Sequence, residues 1–311
     1  MKIVQIGTGG WGKNHCRVLS ELGVLSAVCD KDLHLAEEFG KKYSVNFYNS
    51  LETLLEKEEF DAAFICTPTI THADIATKLI ENKKHVFVEK PLTYLSEDGQ
   101  KLVDMANKNN VVLTCGYIER FNPAVSTVKD FLTSKKYGDL IRLEFYREHR
   151  MPQHIKDVGI IYDTAVHDID TAMWLFGKTP EVVFAIAGKI NHEHEDFATI
   201  MLGFKDNKTA TISSNWITPT RVRNFNAVCT DGRIFSDFIT QEIRIETDHG
   251  TENPKNEKTE PLLLEIKNFL GAIETKNDIK VKAEQAVNVT KIAEAALLSS
   301  KKGIPIYLDI K

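Results

Sequence analysis

Cysteine is scarce in this chain, and long apolar runs are missing. Five cysteines occur among 311 residues, an odd number without a CxxC pair, and four of them lie in or beside apolar segments. This pattern is typical of reduced core thiols and argues against a disulfide framework or a zinc site. No apolar stretch approaches the roughly 20 residues that a transmembrane helix needs. A protein without disulfides or membrane spans is therefore expected.

A strong charge of either sign is also absent. The chain has 39 basic and 44 acidic residues, a formal net charge of −5, and no basic block. Nucleic acid and anionic membranes are therefore not expected partners. The first residues enter a strand pattern at once and show no signal-peptide core, so a cytoplasmic location is expected.

The length of the chain predicts two domains. Apolar runs and amphipathic patterns alternate over the first part, which predicts a doubly wound parallel sheet with short linking turns. The predicted strands span residues 2–6, 24–29, 45–47, 61–66, 85–88 and 111–116, and the helices span 11–22, 33–41, 51–57, 71–82 and 96–109. We therefore expect an α/β nucleotide-binding domain at 1–118 and a second domain at 119–311.

A glycine-rich turn follows the first predicted strand directly. Its G-x-G-x-x-G spacing suits a tight turn, close approach to a pyrophosphate and close helix packing, with the phosphates on the helix amino terminus. The turn comprises Gly7, Thr8, Gly9, Gly10, Trp11 and Gly12. Asp30 closes the second strand, where a carboxylate would accept hydrogen bonds from ribose hydroxyls and repel a 2′-phosphate. NAD is thus predicted over NADP, although Lys31 would soften the repulsion.

Two further strand ends are expected to face the ligand crevice, because ligands of open α/β sheets lie outside the carboxyl ends of the strands. Thr67 and Pro68 follow one strand, and His72 either faces the cofactor or covers a helix start that Thr71 would cap. Glu89, Lys90 and Pro91 follow another strand, and the proline biases Lys90 towards an extended conformation. Lys90 could also be an ordinary solvated lysine.

These elements, together with His15, resemble the signature series of the glucose-fructose oxidoreductase, inositol dehydrogenase and rhizopine catabolism protein family. The resemblance covers almost the whole chain. It implies a Rossmann domain followed by a domain built on a large, mostly antiparallel open sheet. It also implies nicotinamide-dependent oxidation or reduction of a sugar, cyclitol or related polyol.

The second half has the pattern of a sheet domain. Predicted strands at 140–148, 182–189, 197–204, 209–216, 222–228, 233–237 and 242–246 are joined by short polar turns, which indicates antiparallel pairing. Helices are predicted at 123–132, 261–274 and 283–300, too few to cover both faces. A homodimer or homotetramer that pairs the open face is therefore expected.

The densest polar cluster in this half runs from Tyr162 to Asp170. Asp163 and His167 are spaced i and i+4 on a predicted helix that ends at Gly177, and a carboxylate beside an imidazole suits a general base. By resemblance they map onto the aspartate and histidine of the family. The alternative is a structural helix start in which Asp163 caps the helix and His167 packs.

The predicted chemistry combines both halves. His167 would take the hydroxyl proton, Asp163 would hold its tautomer, and Lys90 would polarise the hydroxyl or relay the proton itself. Glu89 would orient Lys90 or the nicotinamide side of the cofactor.

The candidate substrate-binding residues are Lys90, Tyr162, Asp163 and His167, joined by Arg120, Tyr146, Arg147 and His149. These last four, with Arg150, form a polar cluster that could also be a solvated strand edge. Residues 116–123 resemble family members that act on nucleotide sugars, UDP-N-acetylglucosamine 3-dehydrogenases among them. A myo-inositol or simple sugar dehydrogenase is the alternative, and a catalytically silent dinucleotide sensor is a third reading. The run His192 to Asp196 is rich in metal-ligand types, but its place between strands favours a solvated loop, and no metal is predicted.

Overall fold

The computed structural model describes residues 1–152, 155–275 and 278–309. It divides the chain into two compact units, one comprising Met1–Gly116 with Leu262–Val287 and the other comprising Tyr117–Pro261 with Asn288–Lys311. The expected division at residue 118 therefore assigns Leu262–Val287 to the wrong unit.

The first unit is built on a six-stranded parallel sheet in the order β3-β2-β1-β4-β5-β6. The strands are β1 (Ile3–Ile6), β2 (Leu25–Cys29), β3 (Asn46–Tyr48), β4 (Ala62–Ile65), β5 (His85–Glu89) and β6 (Leu113–Gly116). The helices between them are α1 (Gly12–Glu21), α2 (Leu33–Tyr43), α3 (Leu51–Lys57), α4 (His72–Glu81) and α5 (Ser96–Asn109). The strand order reverses between β1 and β4, where ligands of such sheets bind.

Helix α8 (Pro261–Thr275) joins this unit through its apolar face. Leu262, Ile266 and Phe269 are buried at helical spacing. The ring of Phe269 stands edge-on to Phe64 of β4 and Phe87 of β5, whose own rings stack at 4.6 Å. Long-range ring packing of this kind leaves no local signal, which explains why the sequence analysis placed α8 in the second domain.

The second unit is built on a nine-stranded sheet in the order β14-β13-β12-β11-β7-β10-β9-β8-β15. Its strands are β7 (Leu140–Glu148), β8 (Val182–Gly188), β9 (Phe197–Phe204), β10 (Lys208–Asn215), β11 (Val222–Cys229), β12 (Gly232–Asp237), β13 (Ile243–Thr247), β14 (Gly250–Glu252) and β15 (Ile306–Tyr307). The pairs are antiparallel except for β7 with β10, which run parallel. The mostly antiparallel sheet predicted from the resemblance is confirmed.

Three helices complete the second unit's elements. They are α6 (Pro123–Thr133), α7 (Val166–Phe176) and α9 (Ala283–Lys302), whose first turn belongs to the first unit. Helix α7 ends as predicted at Gly177, which adopts a left-handed φ of 66°. A π-helical turn, Ile161–Ala165, precedes α7, where a regular helix was expected.

Candidate active site

The glycine turn after β1 is shaped by two close backbone approaches. Gly7 has a φ of 84°, and a Cβ there would lie 2.4 Å from the Cys66 carbonyl oxygen at the end of β4. A Cβ on Gly12 would lie 2.0 Å from the Gly7 carbonyl oxygen. By contrast, nothing lies within 4 Å of a Cβ built on Gly9. The turn is thus closed towards the sheet and open at Gly9, as a phosphate-binding turn requires.

Asp30 lies where the sequence predicted an acid that binds ribose. Its Oδ2 accepts hydrogen bonds from the Thr8 amide at 2.8 Å and the Thr8 hydroxyl at 3.0 Å, and its Oδ1 accepts from the Asp32 amide at 3.0 Å. A carboxylate has about four acceptor positions, so capacity remains for a ribose hydroxyl. Lys31 beside it is exposed. The residues present therefore fit an adenosine ribose next to the turn.

The turn after β4 is held by its own side chains. The Thr71 hydroxyl lies 2.7 Å from the Pro68 carbonyl oxygen and 2.8 Å from the Thr67 hydroxyl. Thr71 makes no side-chain cap to α4, so the capping alternative is wrong.

His72, predicted either to face the cofactor or to cover a helix start, contacts two main-chain oxygens. Its side chain is buried, and its ring nitrogens lie 2.9 Å from the carbonyl oxygens of Thr67 and Pro91. Because both ring nitrogens face main-chain oxygens, His72 ties the turn after β4 to the segment after β5.

Lys90 follows the carboxyl end of β5, next to a buried hydrogen-bonded pair formed by Glu89 and His15. Glu89 Oε1 lies 2.8 Å from His15 Nε2 of α1, and Glu89 Oε2 accepts a hydrogen bond from the Lys90 amide at 3.1 Å. His15 is fully buried, with its ring 5.5 Å from the rings of both Phe64 and Phe87. The Lys90–Pro91 peptide bond is cis. Glu89 thus fixes the main chain that carries the half-buried Lys90.

His15, Cys66 and Glu89 are also the only three potential metal ligands that cluster in the part of the chain that the structure describes. Their ligand atoms lie within 4.8 Å of one another. Burial, and then the charge of Glu89, raise the pKa of the Cys66 thiol well above its usual value. A thiol must lose its proton to bind a metal. The cluster therefore fits a buried hydrogen-bonded support beneath the glycine turn better than a metal site.

Asp163 and His167 are both half-buried in the second unit. Asp163 lies in the π-helical turn and accepts a hydrogen bond from the Thr164 hydroxyl at 3.1 Å, whereas His167 lies in the first turn of α7. A π turn pairs residues i and i+5, so the predicted regular i, i+4 geometry does not apply across this boundary. The capping alternative is wrong, because Ala165 is the residue before α7 and no side chain caps the helix.

Two predicted substrate-binding arginines are instead buried in ion pairs. Arg120 is 1% exposed, and its Nε and Nη2 donate to the two Asp170 oxygens at 2.9 and 2.6 Å. Arg147, also 1% exposed, donates to Asp168 at 2.8 Å and to Glu119 at 3.1 Å. Burial alone lowers the pKa of Arg147, but Asp168 and Glu119 reverse the shift, so the guanidinium stays charged. Contrary to the prediction, neither arginine is available to bind a ligand.

The other residues of the predicted substrate site differ in location and exposure. Tyr146 is exposed on the face of β7 opposite to Arg147, since side chains alternate along a strand. Tyr162 is buried, 3% exposed. His149 directly follows β7. Burial, the largest effect, lowers its pKa, whereas the charge of nearby Asp163 raises it. Of this group, His149 therefore stays a candidate.

The histidine-rich loop before β9 is structured by its acids. The buried Asp196 carboxylate accepts from the amides of Ile190 and Asn191, and Glu195 accepts from the Ile161 amide at 3.2 Å. The loop thereby supports the π-helical turn, and the expectation that the run is solvated does not hold for Asp196, which is buried.

Sequence reasoning missed Glu119 and Asp168 as partners of Arg147, and Asp170 as the partner of Arg120. The available signal was two acids inside an otherwise apolar helix, because a buried charge requires a partner.

The fold and the glycine turn define a dinucleotide-binding protein with a Rossmann domain and a second, sheet-based domain. Family profiles agree: "Oxidoreductase family, NAD-binding Rossmann fold" matches residues 1–117, and "GFO/IDH/MocA C-terminal domain" matches residues 125–235. The chain belongs to the GFO/IDH/MocA oxidoreductase family.

Several relatives match over most of this chain. A UDP-N-acetylglucosamine 3-dehydrogenase from Acidithiobacillus ferrooxidans is 27% identical over 283 residues, 88% of each chain. A scyllo-inositol 2-dehydrogenase (NAD(+)) from Bacillus subtilis is 27% identical over 296 residues, 89% of this chain and 85% of that protein. A solved structure of the Acidithiobacillus enzyme aligns with a TM-score of 0.90 at 25% identity, covering 97% of this chain and 98% of that one.

In the described ranges, no helix is long and apolar enough to cross a membrane.

Proposed function

We propose that this protein oxidises a secondary alcohol of a UDP-sugar, with UDP-N-acetylglucosamine as the first candidate, and uses NAD. The observation that carries the catalytic part is the Glu89 carboxylate, which binds both His15 and the Lys90 amide at the end of β5. This support fixes the main chain of a lysine at the strand end where ligands of such sheets bind. The similarity to the Acidithiobacillus enzyme supports the choice of substrate.

The cofactor would be held by the residues of the first unit. Gly9 leaves the turn open for a pyrophosphate, Gly7 and Gly12 allow its close backbone approaches, and Asp30 would accept the ribose hydroxyls. The same carboxylate disfavours a 2′-phosphate, which supports NAD over NADP. Bound NAD supplies the hydride acceptor.

The proton chemistry would fall to three side chains. His167 takes the proton of the substrate hydroxyl. The carbon that carries this hydroxyl loses a hydride, which leaves a carbonyl group. Asp163 stabilises the imidazolium, and the Lys90 ammonium donates a hydrogen bond to the oxygen as negative charge develops. Lys90 belongs to the first unit and the other two to the second, so their joint action is part of this proposal.

The test is a set of initial rates with NAD. UDP-N-acetylglucosamine should be oxidised, whereas free N-acetylglucosamine, myo-inositol and scyllo-inositol should react poorly. Activity on an inositol alone would favour the alternative suggested by the Bacillus relative. No reduction of bound NAD by any candidate in a single turnover would favour a silent sensor.

Lys90→Met tests the catalytic part, with the exposed Lys108→Met of α5 as its control. We expect Lys90→Met to lower kcat by about 10²–10³ with little change in NAD affinity, because the lost hydrogen bond acts on the developing charge. Lys108→Met should behave as wild type. Wild-type turnover in Lys90→Met would contradict the assignment.

A separate proposal concerns self-association. Large apolar side chains are exposed on strands β7, β8 and β9: Ile141, Tyr146, Ile186 and Met201. Exposed apolar patches mark interfaces. We infer that this face pairs two copies of the chain, and the mass measured by light scattering would test it.

A further inference from the structure

An arginine of the second unit faces a like charge. In the register of β7 with β11, Arg223 lies directly opposite Arg147, and Phe225 lies opposite Phe145. The two phenylalanine rings stack at 5.4 Å on the buried face of the sheet. Arg223 therefore lies on that same face, since side chains alternate along a strand. Like charges directly opposite each other destabilise a sheet, so this arrangement needs an explanation.

The carboxylates nearby are already engaged. Arg147 takes both Asp168 and Glu119 as hydrogen-bond partners. The Nε of Arg223 is inaccessible to water and has no hydrogen-bond partner among the residues described. Burial, followed by the charges of Arg147 and Arg221, lowers the pKa of Arg223 to about 10. A guanidinium in these surroundings is suited to binding an anion.

The surroundings of Arg223 are basic and lie close to the predicted acid-base pair. Arg221 comes directly before β11, and His149 comes directly after β7. The pKa of His149 is lowered by burial and by the charges of Arg223 and Arg221, and it is raised by Asp163. Asp163 therefore lies near enough to be felt by the same group. An anion bound here would belong to the same ligand that Asp163 and His167 act on.

We propose that Arg223, with Arg221 and His149 beside it, binds the phosphate groups of the substrate. The proposal rests on the proposed function, because it assigns the diphosphate of the UDP-sugar to this cluster. Guanidinium groups match phosphate oxygens in two-pronged hydrogen bonds. Arg221 is exposed and would make the weaker contribution.

The test measures binding of UDP by calorimetry to protein saturated with NAD, so that the dinucleotide site is filled. Arg223→Met should raise the Kd for UDP about ten- to a hundredfold, since it removes charge-assisted hydrogen bonds. Arg223→Lys should retain part of the affinity, because the charge stays but the fork is lost. Arg244→Met on β13, which removes an exposed arginine of the same sheet, is the matched control and should bind UDP as wild type does.

Each outcome bears on one proposal. Wild-type UDP affinity in a folded Arg223→Met would overturn the site and would mean that Arg223 serves only to balance Glu119 and Asp168. If Arg223→Met does not fold, Arg221→Met and Arg223→Lys replace it, and wild-type affinity in both would overturn the site. Binding of UDP through Arg223 without oxidation of any UDP-sugar would leave the site standing and reject the proposed function. Oxidation of UDP-N-acetylglucosamine with an unchanged KM in Arg223→Met would support the proposed function and reject the phosphate site at Arg223.

Discussion

Replacing Arg120 by methionine separates a structural role from substrate binding. In the structure Arg120 and Asp170 are each 1% exposed and share two hydrogen bonds of 2.9 and 2.6 Å. Arg120→Met removes both bonds and leaves the Asp170 carboxylate buried without them. We expect the free energy of unfolding to fall by about 3–5 kcal/mol, the usual cost of breaking a buried ion pair from one side.

The pH dependence of this loss has a definite sign. Burial raises the pKa of Asp170, and Arg120 opposes that shift. Without Arg120 the folded-state pKa of Asp170 rises further above its unfolded value. A group of this kind stabilises the fold at low pH and loses that contribution as the pH rises through its folded-state pKa. The deficit of Arg120→Met should therefore shrink in acid.

A double variant isolates the pair. Arg120→Met with Asp170→Leu replaces both charges by apolar groups, which is often neutral or stabilising. The double variant should therefore recover most of the stability that either single variant loses. Urea unfolding of the four proteins at neutral pH measures this coupling. If Arg120→Met unfolded at the wild-type urea concentration and instead raised the KM for the sugar, the pair would not be structural and the arginine would bind substrate.

Two further predictions concern the cofactor and the loop before β9. Asp30→Asn should lower the preference for NAD over NADP, measured as the ratio of kcat/KM values, by about ten- to a hundredfold, because it removes the charge facing a 2′-phosphate; an unchanged ratio would reject the role of Asp30. Burial raises the pKa of Glu195 despite hydrogen bonds from main-chain amides, so its stabilising effect is present below the unfolded-state pKa and is lost as pH rises through the folded-state value. Glu195→Gln keeps an acceptor for the Ile161 amide, so its melting temperature should be higher than that of wild type near neutral pH and equal to it in acid. A lower melting temperature near neutral pH would contradict this.

Local patterns were sufficient for most of the secondary structure. Helices α3 and α5 and strands β7 and β9 have the predicted bounds. Their signals are short-range: Ser50 caps α3 through the Thr53 amide, and β7 alternates buried and exposed side chains. The glycine turn, Asp30 and Lys90 likewise follow strands β1, β2 and β5 as predicted, and their roles stay predictions. Such signals need only the neighbours of a residue along the chain.

Partners of buried charges could not be found in this way. Arg120 and Arg147 were predicted to bind substrate, yet each pairs with an acid of α7 that lies at least 20 residues away along the chain. A charged side chain reads as a ligand-binding group in the sequence whether it meets a substrate or a buried carboxylate. Only the packing of α7 against the sheet decides between the two.

The sequence by itself determined the family, the order of strands and helices, and the turn that is shaped for a dinucleotide. Tertiary structure decided that α8 packs with the first unit, that β7 and β10 run parallel, and that Arg223 faces Arg147. The physical reason is range. Turns and periodicity depend on nearby residues, whereas ring packing, strand register and charge pairing join residues far apart in the chain.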